Sequence, residues 1–78
     1  MPQRSRAHAA LGRAIRASRV DRRLSQEELA HRSGMHRTYL GGIERGERNP
    51  SYTNIRRLAD ALGVSASDLI AEAERLER

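Results

Sequence analysis

Residues 24–46 read LSQEELAHRSGMHRTYLGGIERG, and this stretch decides the fold. Ser25 followed three residues later by Glu28 fits a capping box, in which the serine oxygen accepts an amide of the first turn and the glutamate reaches back to the cap amide. Leu24 and Leu29 stand at the staple positions on either side, so a helix is predicted to begin at Gln26. Leu29 and Ala30 face inward. Gly34 stands where a left-handed residue must end that helix, because glycine meets no Cβ penalty there. Ser33-Gly34-Met35 is then a turn. A second short helix starts at His36 or Arg37, keeps Leu40 and Ile43 inward at i, i+3 spacing, and closes at Gly46.

The same reading extends in both directions. Upstream, Leu11, Ala14, Ile15 and Ser18 make one face of a helix over roughly Ala7 to Val20, with Arg13, Arg16 and Arg19 on its other faces. Downstream of Glu47-Arg48-Asn49-Pro50, Ser51 and Thr53 both fit as the cap of a fourth helix that carries Ile55, Leu58, Ala59 and Leu62 on one side and ends at Gly63. Val64-Ser65-Ala66-Ser67-Asp68-Leu69 repeats the staple and box spacing and opens a fifth helix through Ile70, Ala73 and Leu76. Strand-like alternation is absent, so the expectation is a compact all-α bundle of five helices. At 78 residues the chain is read as one domain over 1–78, with 1–6 as a flexible arm.

Composition narrows the functions. The net charge is +5 and every one of the 15 basic residues is arginine. Residues 1–25 hold seven arginines against one aspartate, residues 26–48 balance four against four, and residues 49–78 hold four against five. The basic pole is therefore N-terminal, and its potential favours a polyanionic partner. Cysteine is absent, which removes disulfides, thiolate metal sites and thiol nucleophiles and suits the cytoplasm. His8, His31 and His36 share no metal-ligand spacing, and no nucleophile, base and orienter set is recognisable. The expectation is a protein that is not an enzyme, holds no cofactor and takes no evident small-molecule ligand. MPQRSRAHAA lacks an apolar signal core and the apolar runs are short, so neither secretion nor membrane insertion is expected.

Two short helices joined through a glycine turn are the minimum of a helix-turn-helix, whose second helix enters the major groove of DNA. LSQEELAHRSGMHRTYLGGIERGERNPS followed by NIRRLADALGVSASDLI resembles the five-helix domain of Cro- and Xre-type phage repressors over about residues 7–72. The implied fold is lambda-repressor-like. Within that family HRTYLGGIERGERNPS is most similar to the restriction–modification controller proteins, small dimeric regulators of transcription.

The resemblance implies residue roles. Arg37, Thr38 and Tyr39 fall where the family contacts bases, and Arg48 matches a controller-protein arginine that contacts DNA. A guanidinium on guanine O6 and N7 makes two parallel bonds, worth about 1–3 kcal/mol against the wrong base. Gln26 falls where the family binds a phosphate, and the free amides of a helix start favour the same anion. Ser25 (primarily a cap), His36, Arg45 and Asn49 complete the expected phosphate contacts. Arg19 and Glu44 match a family ion pair that ties the first helix to the third. Each of the contacting residues also reads as plain solvated surface, and Tyr39 also fits as partly core. Gly41 and Gly42 are helix-interior glycines, each costing about 1 kcal/mol relative to alanine, and close approach to the DNA backbone is the expected reason. In many phage repressors the position matching Gly42 carries a base-reading side chain.

One such motif reads only a few base pairs, so a symmetric homodimer on double-stranded DNA is expected, paired through Ile70, Ala73 and Leu76. Two other readings compete. One is an antitoxin or protein-interaction module built on the same fold, which replacement of Arg37 would leave able to bind its partner. The other is a basic helical protein on anionic membranes, which would need an exposed and strongly apolar helix face.

Overall fold

The computed structural model describes residues 5–78 and contains α1 (Arg6–Asp21), α2 (Gln26–Ser33), α3 (Arg37–Glu44), α4 (Tyr52–Leu62) and α5 (Ala66–Glu77). No strand occurs among the described residues. Four of the five starts have a side-chain cap. Ser25 Oγ accepts Glu28 N at 3.0 Å while Glu28 Oε1 accepts Ser25 N at 2.9 Å, the complete capping box. Ser51, the earlier of the two candidate caps, accepts Asn54 N at 3.2 Å, and Ser65 accepts Asp68 N at 3.0 Å. Ser5 accepts His8 N at 2.9 Å, so α1 begins at Arg6, and Ser5 and Arg6 are a cap and a first turn where a flexible arm was expected. Residues 1–4 of that arm lie outside the described residues.

The ends are equally regular. Gly34 has φ +72°, which lets Met35 N reach back to Ala30 O at 2.9 Å and satisfy a carbonyl that the helix leaves unpaired. The same backward bond closes α3 from Glu47 N to Gly42 O and α4 from Val64 N to Ala59 O. At the end of α1 the left-handed position is held instead by Arg23, with φ +58°, and Leu24 N bonds to Arg19 O at 3.1 Å. An arginine there carries steric strain that glycine avoids.

The five elements close around Ile15, Leu29, Leu40, Ile43, Leu58 and Leu62, all fully buried. α1 lies antiparallel along α5, where Arg6 Nη2 donates to Glu77 O at 3.3 Å. It also crosses the end of α3 at close range. A Cβ on Gly12 would press into the carbonyl oxygens of Ile43 and Glu44, so only glycine lets the two backbones approach this far. α2 and α3 pack on each other, and α4 closes the bundle against α2 and α5.

One expected surface changes. Ala73 is 6% exposed and belongs to the protomer's own core, and Leu76 packs against that core. Of the three residues expected to pair two copies, only Ile70, at 37% exposure, lies open. The core reaches further along α5 than the size of the chain suggested, because α1 covers α5 over most of its length.

Candidate nucleic-acid interface

At 3.6 residues per turn, Arg37, Thr38, Gly41, Gly42 and Arg45 fall on one arc of about 140°. Tyr39, Leu40, Ile43 and Glu44 face the protein, with Leu40, Ile43 and Glu44 buried. Arg37, Thr38 and Arg45 are exposed. α3 thus presents a short, cationic and nearly stalk-free face to solvent. His36 is its N-cap residue and makes no side-chain cap bond, so its exposed ring stands at the start of the same face.

Glu44 is the acid beneath this face. Its side chain is 2% exposed and takes a two-pronged bond from Arg19, Nε to Oε2 at 2.7 Å and Nη2 to Oε1 at 3.0 Å. The remaining Nη1 of Arg19 donates to Leu24 O at 2.8 Å. One arginine therefore joins the end of α1, the entry to α2 and the end of α3. The bond to Glu44 raises the pKa of the Arg19 guanidinium above its ordinary value. A buried carboxylate satisfied in this way fixes the angle at which α3 leaves the core.

Gln26 is placed otherwise than expected. Its Nε2 donates to Glu44 Oε1 at 3.0 Å, so the side chain is the second partner of the buried carboxylate and supplies its third hydrogen bond. The side chain expected on phosphate thus braces α3 from beneath in the free protein, and the first turn of α2 still presents its free backbone amides. Ser25 Oγ is likewise committed, to the cap of α2. Gln26 nevertheless borders a depression of about 200 Å³ that Arg37, Thr38, Gly41 and Arg45 complete, so two guanidinium groups converge beside a helix start.

Tyr39 also differs. It packs against the core, and its hydroxyl accepts a bond from Asn54 Nδ2 at 3.3 Å. The ring joins α3 to α4 rather than standing free among the surface residues. Asn54 was not singled out in the sequence, and a polar pair 15 residues apart leaves no local signal.

The two glycines lie beneath arginine side chains. A Cβ at Gly41 would stand 3.0 Å from Arg45 Nη1, and one at Gly42 would stand 2.7 Å from Arg48 Cγ. Two arginine side chains lie across the outer face of α3 where its own side chains are missing. Arg45 is held in turn by Glu47, Nε to Oε1 at 3.1 Å, while Arg37 stands 3.9 Å from Glu27 with both side chains mostly exposed. So loose a surface pair gives way easily to a phosphate or a base. Arg48 and Asn49 are exposed in the loop that follows. Among the described residues no cluster of histidine and acidic side chains could hold a metal ion. No helix there is long and apolar enough to cross a membrane.

A glycine-turned helix pair with a braced second helix and an arginine-covered outer face defines a helix-turn-helix protein. Residues 15–69 match the family described as Helix-turn-helix, and the chain belongs to it. Its relatives are of the Cro/Xre type. The control protein C.BamHI of Bacillus amyloliquefaciens is 45% identical over 60 residues, which cover 76% of this chain and 74% of that protein. The crystal structure of the restriction–modification controller protein C.AhdI from Aeromonas hydrophila superposes with a TM-score of 0.77 at 46% identity, covering 78% of this chain and 92% of that one. The controller protein C.Esp1396I, solved as a tetramer in complex with its natural 35 base-pair operator, superposes with a TM-score of 0.85 at 27% identity, covering 94% and 96%.

Proposed function

We propose that this protein is a transcriptional regulator of the restriction–modification controller kind, which binds operator DNA in the cytoplasm as a homodimer and acts by binding alone, without catalysis. The observation that carries the reading is the outer face of α3. Its arginines are aimed outward by the part-buried Arg19–Glu44–Gln26 network beneath them. In this reading Arg37 and Thr38 meet base edges at the start of α3, and Arg48 adds a second guanidinium from the loop. Arg45, Asn49, His36 and the amides at the start of α2 hold the phosphate backbone. Gln26 and Tyr39 support the face from beneath. The likeness to the C.Esp1396I–operator complex and the identity with C.BamHI support the class of target.

Selection of bound sites from a pool of random duplex DNA tests the proposal. The expected result is a two-fold symmetric consensus, with Arg37→Ala losing the preferred base at one position of each half-site. Binding that is steeply salt-dependent and indifferent to sequence would overturn it. An antitoxin or interaction module on the same fold would instead keep its protein partner when Arg37 is replaced.

A further inference from the structure

We infer that Gly42 is a specificity-determining position although it offers no group to DNA. Its missing side chain is the seat that turns the Arg48 guanidinium onto the outer face of α3, where it reads a G·C pair. The inference rests on the DNA-binding reading above. Three observations carry it. The stem of Arg48 occupies the space of the absent Cβ, with Cγ 2.7 Å, Cβ 3.7 Å and Nε 3.7 Å from where that atom would stand. The loop backbone is tied to the same residue, since Glu47 N donates to Gly42 O at 2.8 Å and Arg48 N at 3.3 Å. Arg48 therefore cannot yield by moving bodily. Only its side chain can turn away. Finally, among the described residues no hydrogen bond or ion pair holds the exposed Arg48 guanidinium, whereas Arg45 beside it is engaged by Glu47.

Gly42 shares the outward arc with Thr38 and lies one turn along from it. A side chain rooted at Gly42 would reach the groove from the second turn of α3. The loop supplies that side chain instead, anchored at one end by the backbone bonds to Gly42 and laid over it. Arginine is suited to such a seat. Its long stem packs on bare backbone while the planar fork remains free for guanine O6 and N7.

The test compares the wild type with Gly42→Ala, Arg48→Ala and the double variant, each used to select sites from random duplex DNA. Arg48→Ala is expected to lose a guanine preference at one position of each half-site by about tenfold. Gly42→Ala is expected to lose the same preference at the same position, and the double variant to bind no worse than Arg48→Ala. Alanine favours a helix over glycine, so the thermal midpoint of Gly42→Ala should not fall. Relaxation of the Arg48 Nε–H in the free protein gives a second readout. It should be restrained in the wild type and mobile in Gly42→Ala.

Retained guanine preference in Gly42→Ala would overturn the inference and leave the DNA-binding reading standing. So would losses that multiply in the double variant, or an Arg48 Nε–H equally mobile in wild type and Gly42→Ala. A wild type that selects no sequence would overturn the reading itself and the inference with it.

Discussion

Arg19 ties together the end of α1, the entry to α2 and the end of α3. It is the principal counter-charge of a carboxylate that is 2% exposed. Taking a charge out of water is costly, and the Coulombic gain offsets that cost only while both partners remain. Arg19→Met should therefore destabilise the fold by about 3 kcal/mol, because Glu44 would keep only the neutral Gln26 amide. The urea midpoint measures this. Arg19→Met/Glu44→Leu should recover much of the loss, since an apolar pair of similar volume carries no stranded charge. It should not recover DNA binding, because the angle of α3 is set by the bonds and not by the volume. Gln26 was read from the family as a phosphate contact, and its long-range bond to Glu44 has no mark in the residues beside it. The Arg19–Glu44 pair entered through the family resemblance, since a separation of 25 residues offers no periodic signal.

At the scale of the element, the start of α2 responds to acid. Glu28 accepts the Ser25 backbone amide, and that bond lowers its pKa below the ordinary glutamate value. A lowered folded-state pKa gives stability that is complete above the unfolded value, about 4.3, and is lost as the pH falls through the folded one. Glu28→Gln keeps the hydrogen bond of the box but removes the charge. The variant should be less stable than the wild type at neutral pH, and the two should converge on acidification through that range. Urea midpoints taken between about pH 3 and 7 check the sign. Element boundaries were legible because caps and left-handed ends are settled within about five residues of chain. Ser25, Glu28, Gly34, Gly46 and Gly63 each mark an end that the structure places within a residue or two.

At the scale of the whole molecule, the protomer measures 30 × 25 × 21 Å. Half-sites one DNA turn apart are separated by about 34 Å, so two copies side by side match that spacing. Ile70 is the one residue of the expected pairing surface that remains open, and it belongs to α5, on the side away from the core. Ile70→Asp should leave the helical content unchanged, shift sedimentation from dimer to monomer at roughly tens of micromolar, and weaken operator binding by the lost linkage between the two copies. Ala73→Asp should unfold the protomer instead, because it buries a charge with no partner. A wild-type protein that sediments as a monomer even with DNA present would exclude the homodimer.

The sequence by itself determined the five helices, the Ser25 cap, the glycine turns and the inward set of Leu29, Leu40, Ile43, Leu58 and Leu62, while the Ser5 cap and the left-handed Arg23 came only with the structure. Those features depend on bonds between near neighbours and on periodicity along one element. The helix-turn-helix class followed from them and from the family's own residues. Only the tertiary structure decided what Gln26, Tyr39, Gly42 and Ala73 do. Each meets its partner across a gap in the chain or on another element: Gln26 at Glu44, Tyr39 at Asn54, Gly42 under Arg48, and Ala73 in the core closed by α1. Such meetings depend on how finished helices pack, and packing follows from the volumes and close approaches of residues far apart in sequence. The double glycine, read from the sequence as two bare positions, lies in the fold beneath two of the chain's own arginines.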